Sequence, residues 1–268
     1  MKARKQICGL ITDFGNKDYF TGVMKGVIKR INPEAEVIDI SNEIPSFSLL
    51  PASFTLEQSY GFFPEFSVFL VVVDPGVGTD RKILLVEHDH RFFIGPDNGV
   101  LTPVLKEEEK RVSALDNDNY FLIRGTSTFE ARDKMAPAAA YLTLGVDPGE
   151  MGTPVSEFIL NEDYFPVPSP GGIAGRIVYI DKFGNIMTNV PGDLLSRKME
   201  ASGCTKCSVQ LGSREITGFY NTYAEAELGS TPFMLIGSHG NLEIAVNRGS
   251  AAEALDIHIG MSFSMKFH

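Results

Sequence analysis

An α/β domain followed by a smaller all-β domain is the fold class this 268-residue chain predicts, and three observations carry it. From residue 6 to about residue 150, short apolar runs alternate with segments of helical period, the pattern of strands joined by crossover helices. Between residues 161 and 172, "NEDYFPVPSPGG" packs three prolines into five residues and closes on two glycines, a stiff and then permissive linker. Beyond it, short strands with turn signals recur about every 8–12 residues, which suggests a small barrel or sandwich. The boundary is placed near residue 168, giving an α/β domain over 1–167 with a mostly parallel sheet, and an all-β domain over 168–268.

The elements justify themselves in order. "ICGLIT" (7–12) is a short apolar strand. In "DYFTGVMKGVIKRI", Phe20, Val23, Met24, Val27 and Ile31 recur at the i, i+3, i+4, i+7 spacing of an amphipathic helix. "EVIDI" (36–40) is the next strand, "LPASFTLEQSYGFF" (50–63) a helix, and "SVFLVVV" (67–73) a strand apolar enough to be buried on both faces. "ILLVEHDHRFFIG" reads as a hairpin, with "HDH" (88–90) at its tip rather than on a metal. "DKMAPAAAYLTLG" is a helix that Gly145 terminates. "IAGRIVYI", "NIMTNV", "CSVQLG", "REITGFY", "PFMLIGS", "LEIAV" and "MSFSMKF" are the strands of the second half.

Bulk properties narrow the function. There are 34 acidic against 24 basic residues, a formal charge of −10. That disfavours a sequence-independent nucleic-acid binder, which needs clustered Lys and Arg to displace counterions. No apolar run reaches the roughly 20 residues that span a bilayer. The N-terminus carries basic residues but lacks the apolar core of about 7–15 residues of a secretory signal. Three cysteines (Cys8, Cys204 and Cys207) suit a reducing cytosol, and a cytoplasmic location is expected. "CTKC" (204–207) has the spacing of a zinc clip or redox pair, but no second ligand pair exists and no βαβ strand precedes it. It reads as two cysteines in a surface turn, and no metal site is expected.

Chemistry concentrates at strand ends. Asp13 follows "ICGLIT", Asp74 follows "VFLVVV", and "PDNG" (96–99) follows "RFFI". In open α/β sheets, ligands bind outside the carboxyl ends of strands. One such residue is ordinarily a cap or turn former. Three on one edge, together with the loop "DKFGNIMTN" (181–189), point to a site. "TDFG" (12–15) matches a kinase tripeptide only by letters, because no room for the upstream kinase loops exists before residue 13. "GVGTDRK" has neither the P-loop nor the dinucleotide glycine spacing.

Six blocks occur in order over nearly the whole chain: "TDFG…D…GVMKGVI", "VVVDPGVGTDRK", "GPDNGVLTPVL", "TFEARDKMAPAAAYL", "DKFGNIMTN" and "GSHGNLEIAVNRGSAA". Together they resemble the S-adenosylmethionine hydroxide adenosyltransferases, relatives of the fluorinating and chlorinating enzymes. The resemblance implies a C-terminal β-barrel domain and a homotrimer, with each site between the N-terminal domain of one subunit and the C-terminal domain of its neighbour. It implies hydrolysis of S-adenosylmethionine to adenosine and methionine with no cofactor. It also implies that Asp74 and Arg81 are catalytic. Asp13 would bind the ribose hydroxyls, Phe47 would pack on the nucleoside, Phe129 would lie near the ribose and Tyr223 would stack on adenine. Asp181 would take the methionine ammonium and Ser238 its carboxylate. Asn185, with backbone groups near Val246 and Arg248, would recognise adenine.

The residue types suit that reaction. The leaving group is a neutral thioether, so catalysis reduces to holding a water in line with the C5′–S bond and removing its proton. Asp74 can accept the proton, and a forked arginine can hold the carboxylate charged. An ordinary loop salt bridge is the plainer account of the same pair. One departure stands out: where the hydrolysing members read Thr-Phe-His-Gly-Arg-Asp, this chain has Glu130 and Ala131 in "TFEARD". Glu130 beside Asp74 is expected to share a proton with it across Arg81, raising one pKa of the pair. The rival outcome is a protein that binds adenosyl ligands without turning them over. A halide-using activity is disfavoured because the Asp74 carboxylate would repel a halide. Methyl transfer lacks a readable acceptor pocket.

Overall fold

A computed structural model describes residues 6–125, 127–226, 229 and 231–268. The basic N-terminal residues Lys2, Arg4 and Lys5 lie outside them. The chain divides into two compact units, Met1–Asn161 and Glu162–His268.

The first unit runs β1 (Ile7–Thr12), α1 (Phe20–Ile31), β2 (Glu36–Ser41), α2 (Leu49–Tyr60), β3 (Val68–Val72), β4 (Ile83–His88), β5 (Arg91–Pro96), α3 (Thr102–Leu105), β6 (Lys110–Leu115), α4 (Ala136–Leu144) and β7 (Gly152–Pro154). Its seven strands form one sheet in the order β2-β1-β3-β5-β4-β6-β7. The sheet is mixed, which corrects the expectation of a mostly parallel one. The pairs β2–β1, β1–β3 and β3–β5 are parallel; β5–β4, β4–β6 and β6–β7 are antiparallel. Parallel neighbours need a crossover long enough to bring the chain back, and α1 and α2 supply it for β1, β2 and β3. The β4–β5 connection is instead a two-residue turn, with Asp89 and His90 both at positive φ (48° and 56°), and such a turn joins only antiparallel strands.

Strand β3 is buried on both faces because its neighbours cover both. Val68, Leu70 and Val72 belong to the cluster that includes Met24 and Ile28 of α1 and Ala138 and Leu142 of α4. Phe69, Val71 and Val73 belong to the cluster with Ala52 and Leu56 of α2 and Val104 of α3. Period-two alternation therefore feeds two cores from one strand. The α2 helix stops at Gly61, short of the expected Phe63, and Phe62 is 91% exposed. The α4 helix ends on Gly145 (φ 89°), whose N–H donates to the Leu142 carbonyl, a left-handed cap that favours glycine. It is preceded by a π-helical turn, Ala131–Met135, that the sequence pattern does not signal.

The second unit comprises β8 (Val167–Ser169), β9 (Gly172–Ile180), β10 (Ile186–Pro191), α5 (Gly192–Ser202), β11 (Cys207–Leu211), β12 (Arg214–Ile216), β13 (Phe233–Ile236), β14 (Asn241–Ala245), α6 (Ala251–Leu255) and β15 (Ser262–Phe267). Its sheet is antiparallel in the order β12-β11-β15-β9-β10-β14-β13, with β8 added on β9. Among the described residues no ladder joins β12 to β13, so the pairing path is that of a barrel-like sheet left open. Cys204 lies in the turn after α5, and Cys207 opens β11 with its thiol buried and its pKa pushed up by that burial. Among the described residues, no helix is long and apolar enough to cross a membrane.

Candidate active site

Strands β1 and β3 are adjacent and parallel, with Thr12 opposite Val72. The residues that follow them, Asp13 and Asp74, therefore leave the sheet at one edge. Asp13, Phe47, Asp74, Phe129 and Glu130 line a cavity of about 510 Å³ there, closed further by Phe14 and Phe20. Phe129 meets both of these rings edge-on, at 5.8 Å from Phe14 and 5.3 Å from Phe20. The third polar position read at this edge serves the scaffold. Asp97 accepts the Ile159 N–H at 2.7 Å, Asn98 donates to the Val73 carbonyl at 2.9 Å, and neither lines the cavity.

The loop after β3 folds back on itself through local chemistry. The Thr79 hydroxyl donates to the Gly76 carbonyl at 2.7 Å, Gly78 takes φ 82°, and the chain returns Arg81 to Asp74. Arg81 Nε donates to Asp74 Oδ1 at 2.7 Å and to Oδ2 at 2.9 Å, while Nη2 also contacts Oδ2. Asp74 Oδ1 accepts the Gly76 N–H at 3.2 Å as well. The two side chains are only 9% and 7% exposed, so this is a desolvated pair and not the surface bridge of the plainer account. Burial would lower the Arg81 pKa, but the Asp74 and Glu130 carboxylates raise it, so the guanidinium stays charged.

Glu130 shares that guanidinium's Nη2 with Asp74. Arg81 Nη2 donates to Glu130 Oε2 at 2.6 Å, and Lys134 Nζ donates to Oε1 at 2.6 Å. Burial alone would raise the Glu130 carboxyl, but Lys134 and Arg81 together hold it below its ordinary value. The expected shared proton is thereby corrected. Asp74, Arg81, Glu130 and Lys134 alternate in sign, so each carboxylate has a cation beside it. Lys134 is the residue sequence reasoning missed; its i, i+4 spacing from Glu130 was the available signal.

Asp13 is arranged differently. Burial raises its carboxyl pKa and the charge of Asp74 adds to the rise, while the Phe47 N–H, donated to Oδ2 at 2.9 Å, works against it. That bond anchors Phe47 at φ 65°, a left-handed conformation disfavoured for a residue with a Cβ. Phe47 is 69% exposed.

In the second unit, Asn185, Tyr223, Val246 and Arg248 come together around a cleft of about 430 Å³, which Phe183 also lines. Asp181 organises the turn beside it. Its Oδ1 accepts the N–H groups of Phe183 (2.8 Å) and Asn185 (2.9 Å), and its Oδ2 accepts from Asn185 Nδ2 at 2.9 Å. Gly184 is required there: its φ is 83°, and an added Cβ would collide with the Ser250 side chain. The Tyr223 hydroxyl donates to the buried Glu243, whose other oxygen meets His239 Nε2 at 3.1 Å. Burial and that carboxylate push the Tyr223 pKa upward. Ser238 is exposed in the turn between β13 and β14 and does not line the cleft.

Comparison with known proteins gives the same ordering of parts. Residues 8–152 match the model of the SAM hydroxide adenosyltransferase N-terminal domain, and residues 175–264 match that of the C-terminal domain. The chain is 33% identical to an (R)-S-adenosyl-L-methionine hydrolase of Thermus thermophilus, over 94% of this chain and 96% of that one. It is 31% identical to an enzyme of the same name from Methanocaldococcus jannaschii, over 94% and 92%. The crystal structure of an uncharacterized conserved protein from Thermotoga maritima superposes with a TM-score of 0.86 at 35% identity, covering 97% of this chain and 99% of that one. With both domain models matched in order and the carboxylate–arginine pair at its strand end, this chain belongs to the SAM hydroxide adenosyltransferase family.

Proposed function

We infer that the protein hydrolyses S-adenosyl-L-methionine to adenosine and L-methionine by in-line attack of a water on C5′. The observation that carries this is the buried Asp74 carboxylate, forked to Arg81 and facing a cavity within the size range of small-molecule sites. In this reading Asp74 takes the water's proton as the C5′–S bond breaks, and the neutral thioether leaves without a general acid. Arg81 fixes the carboxylate in place, and Glu130, which lines the same cavity and shares Arg81 Nη2 with Asp74, is the third catalytic-site residue. Asp13 takes the ribose hydroxyls, with Phe47 and Phe129 against the nucleoside. In the second unit Tyr223 and Asn185 take adenine with the backbone at Val246 and Arg248, and Asp181 and Ser238 take the two ends of methionine.

The hydrolase names of the two relatives support the reaction and its substrate. The non-catalytic alternative rests on Glu130, and the Arg81–Asp74 fork is intact beside that glutamate. No cofactor enters the scheme. A homotrimer and a cytoplasmic location, which suits three free cysteines, complete the proposal; light scattering of the purified protein tests the trimer.

The deciding experiment incubates the purified protein with S-adenosylmethionine in ¹⁸O-water and follows adenosine and methionine. The label is expected in the adenosine 5′-hydroxyl. Adenosine release no greater than in an Asp74→Asn control would falsify the assignment of the base.

A further inference from the structure

A second carboxylate beside a proton-accepting one needs its own counter-charge, because a single guanidinium neutralises only one anion. Lys134 supplies it. Its Nζ reaches Glu130 Oε1 at 2.6 Å from the next helical turn. The Lys134 side chain is 16% exposed and its ammonium lies 5.9 Å from the centre of the Phe121 ring, so it is packed and not free in solvent. The other charges nearby are engaged elsewhere. Arg132 and Asp133 pair at 2.7 Å, and Asp133 also takes the Ser127 hydroxyl. Asp13 and Asp18 line the cavity and add negative charge there. Arg81 and Lys134 are thus the cations in contact with Glu130.

We propose that Lys134 is a positioning residue of this active site: it holds Glu130, Glu130 holds the Arg81 Nη2 that also contacts Asp74, and the fork on Asp74 stays aligned. The proposal rests on the hydrolysis assigned above. The geometry explains why both oxygens of Glu130 are occupied, one by each cation. Without Lys134 the cluster carries a net negative charge, and Glu130 competes with Asp74 for Arg81. Lys134 does not line the cavity, so its loss acts on turnover and not on binding.

The test measures adenosine release from about pH 4 to pH 9 for the wild type, Lys134→Met, Lys134→Arg and the Glu130→Gln/Lys134→Met double variant. Lys134→Met is expected to lower kcat about tenfold with KM nearly unchanged, and to move the acid limb of the rate up by about one pH unit. Lys134→Arg keeps the charge and should hold the limb in place. The double variant removes an anion with its cation and should return the limb toward the wild-type position. Thermal unfolding at the same pH values supplies an arm independent of turnover. The Glu130 carboxyl is held below its ordinary value of 4.5, so its pairing stabilises above that pH and is lost as pH falls through the lowered value. The Tm gap between wild type and Lys134→Met should therefore be full at neutral pH and close in acid. Should the methionine variant fail to fold, Lys134→Gln takes its place in both arms. A wild-type acid limb in the charge-removing variant, or a Tm gap constant with pH, overturns the proposal. If the wild type releases no adenosine, the assigned reaction falls, while the unfolding arm still decides whether Lys134 and Glu130 are coupled.

Discussion

The two clefts hold their polar groups in opposite ways. In the first unit, Asp74, Arg81, Glu130 and Lys134 grip one another side chain to side chain, and the Arg81–Glu130 contact joins residues 49 apart in sequence. In the second, Asp181 and Asn185 are 4 residues apart, and two of the three bonds that fix them go to backbone N–H groups. A carboxylate that must meet a water at a defined angle gains from long-range pairing in a desolvated setting, because such pairing leaves it few alternative positions. A turn that presents hydrogen-bonding groups to a ligand needs only local chemistry, and a few residues with one glycine provide it. The contrast predicts that damage to the first cleft will fall on turnover and damage to the second on affinity.

The largest expected effect comes from Asp74→Asn, which removes the proposed proton acceptor but keeps the side-chain shape. A fall in kcat of about 10²–10⁴ is expected, measured by adenosine release at saturating substrate. Arg81→Lys should cost about 10–100-fold in kcat, because a compact ammonium cannot occupy both carboxylate oxygens as the fork does. Retention of full activity with lysine would show that charge alone suffices there. Tyr223→Leu sharpens the comparison from the other side. Losing the aromatic face proposed for adenine should raise KM about tenfold, with kcat within a factor of about two. A kcat loss larger than the KM change would place Tyr223 with the reacting groups instead.

The smallest expected effect concerns Asp13 and is visible in stability. Its carboxyl pKa is raised in the folded state, so ionising it opposes folding once pH exceeds the ordinary value of 3.8. Asp13→Asn should therefore raise Tm by about 1–2 °C at neutral pH, with the difference vanishing below about pH 4. The same variant should raise KM several-fold if Asp13 takes the ribose hydroxyls as proposed. A Tm gain without any change in KM would remove Asp13 from the binding site.

Much of this arrangement is legible in the order of residues. The apolar run that ends at Asp74 predicts a strand buried on both faces, because period-two alternation vanishes only when two cores must be filled, and β3 lies between two helical layers. The proline-rich stretch marks a change of grammar because prolines remove ladder donors, and among the described residues only the three-residue strand β8 pairs there. The return of Arg81 to Asp74 is within reach, since seven residues containing Pro75, Gly76 and Gly78 form a tight turn. Sheet direction beyond β3 is less legible. The sequence marks the hairpin at Asp89–His90, yet its antiparallel consequence for β4, β6 and β7 is outweighed by the alternating pattern upstream.

Sequence alone determined which residues carry charge at strand ends, where the two units divide in character, and that Glu130 stands where a histidine was expected. Those are matters of order, spacing and residue type. Only the tertiary structure decided what Glu130 does, because a carboxyl's protonation depends on which charges approach within hydrogen-bond reach. A π-helical turn set Lys134 on one oxygen and a loop 49 residues away set Arg81 on the other. Burial by itself would push that carboxyl's pKa up; the two cations hold it below its ordinary value.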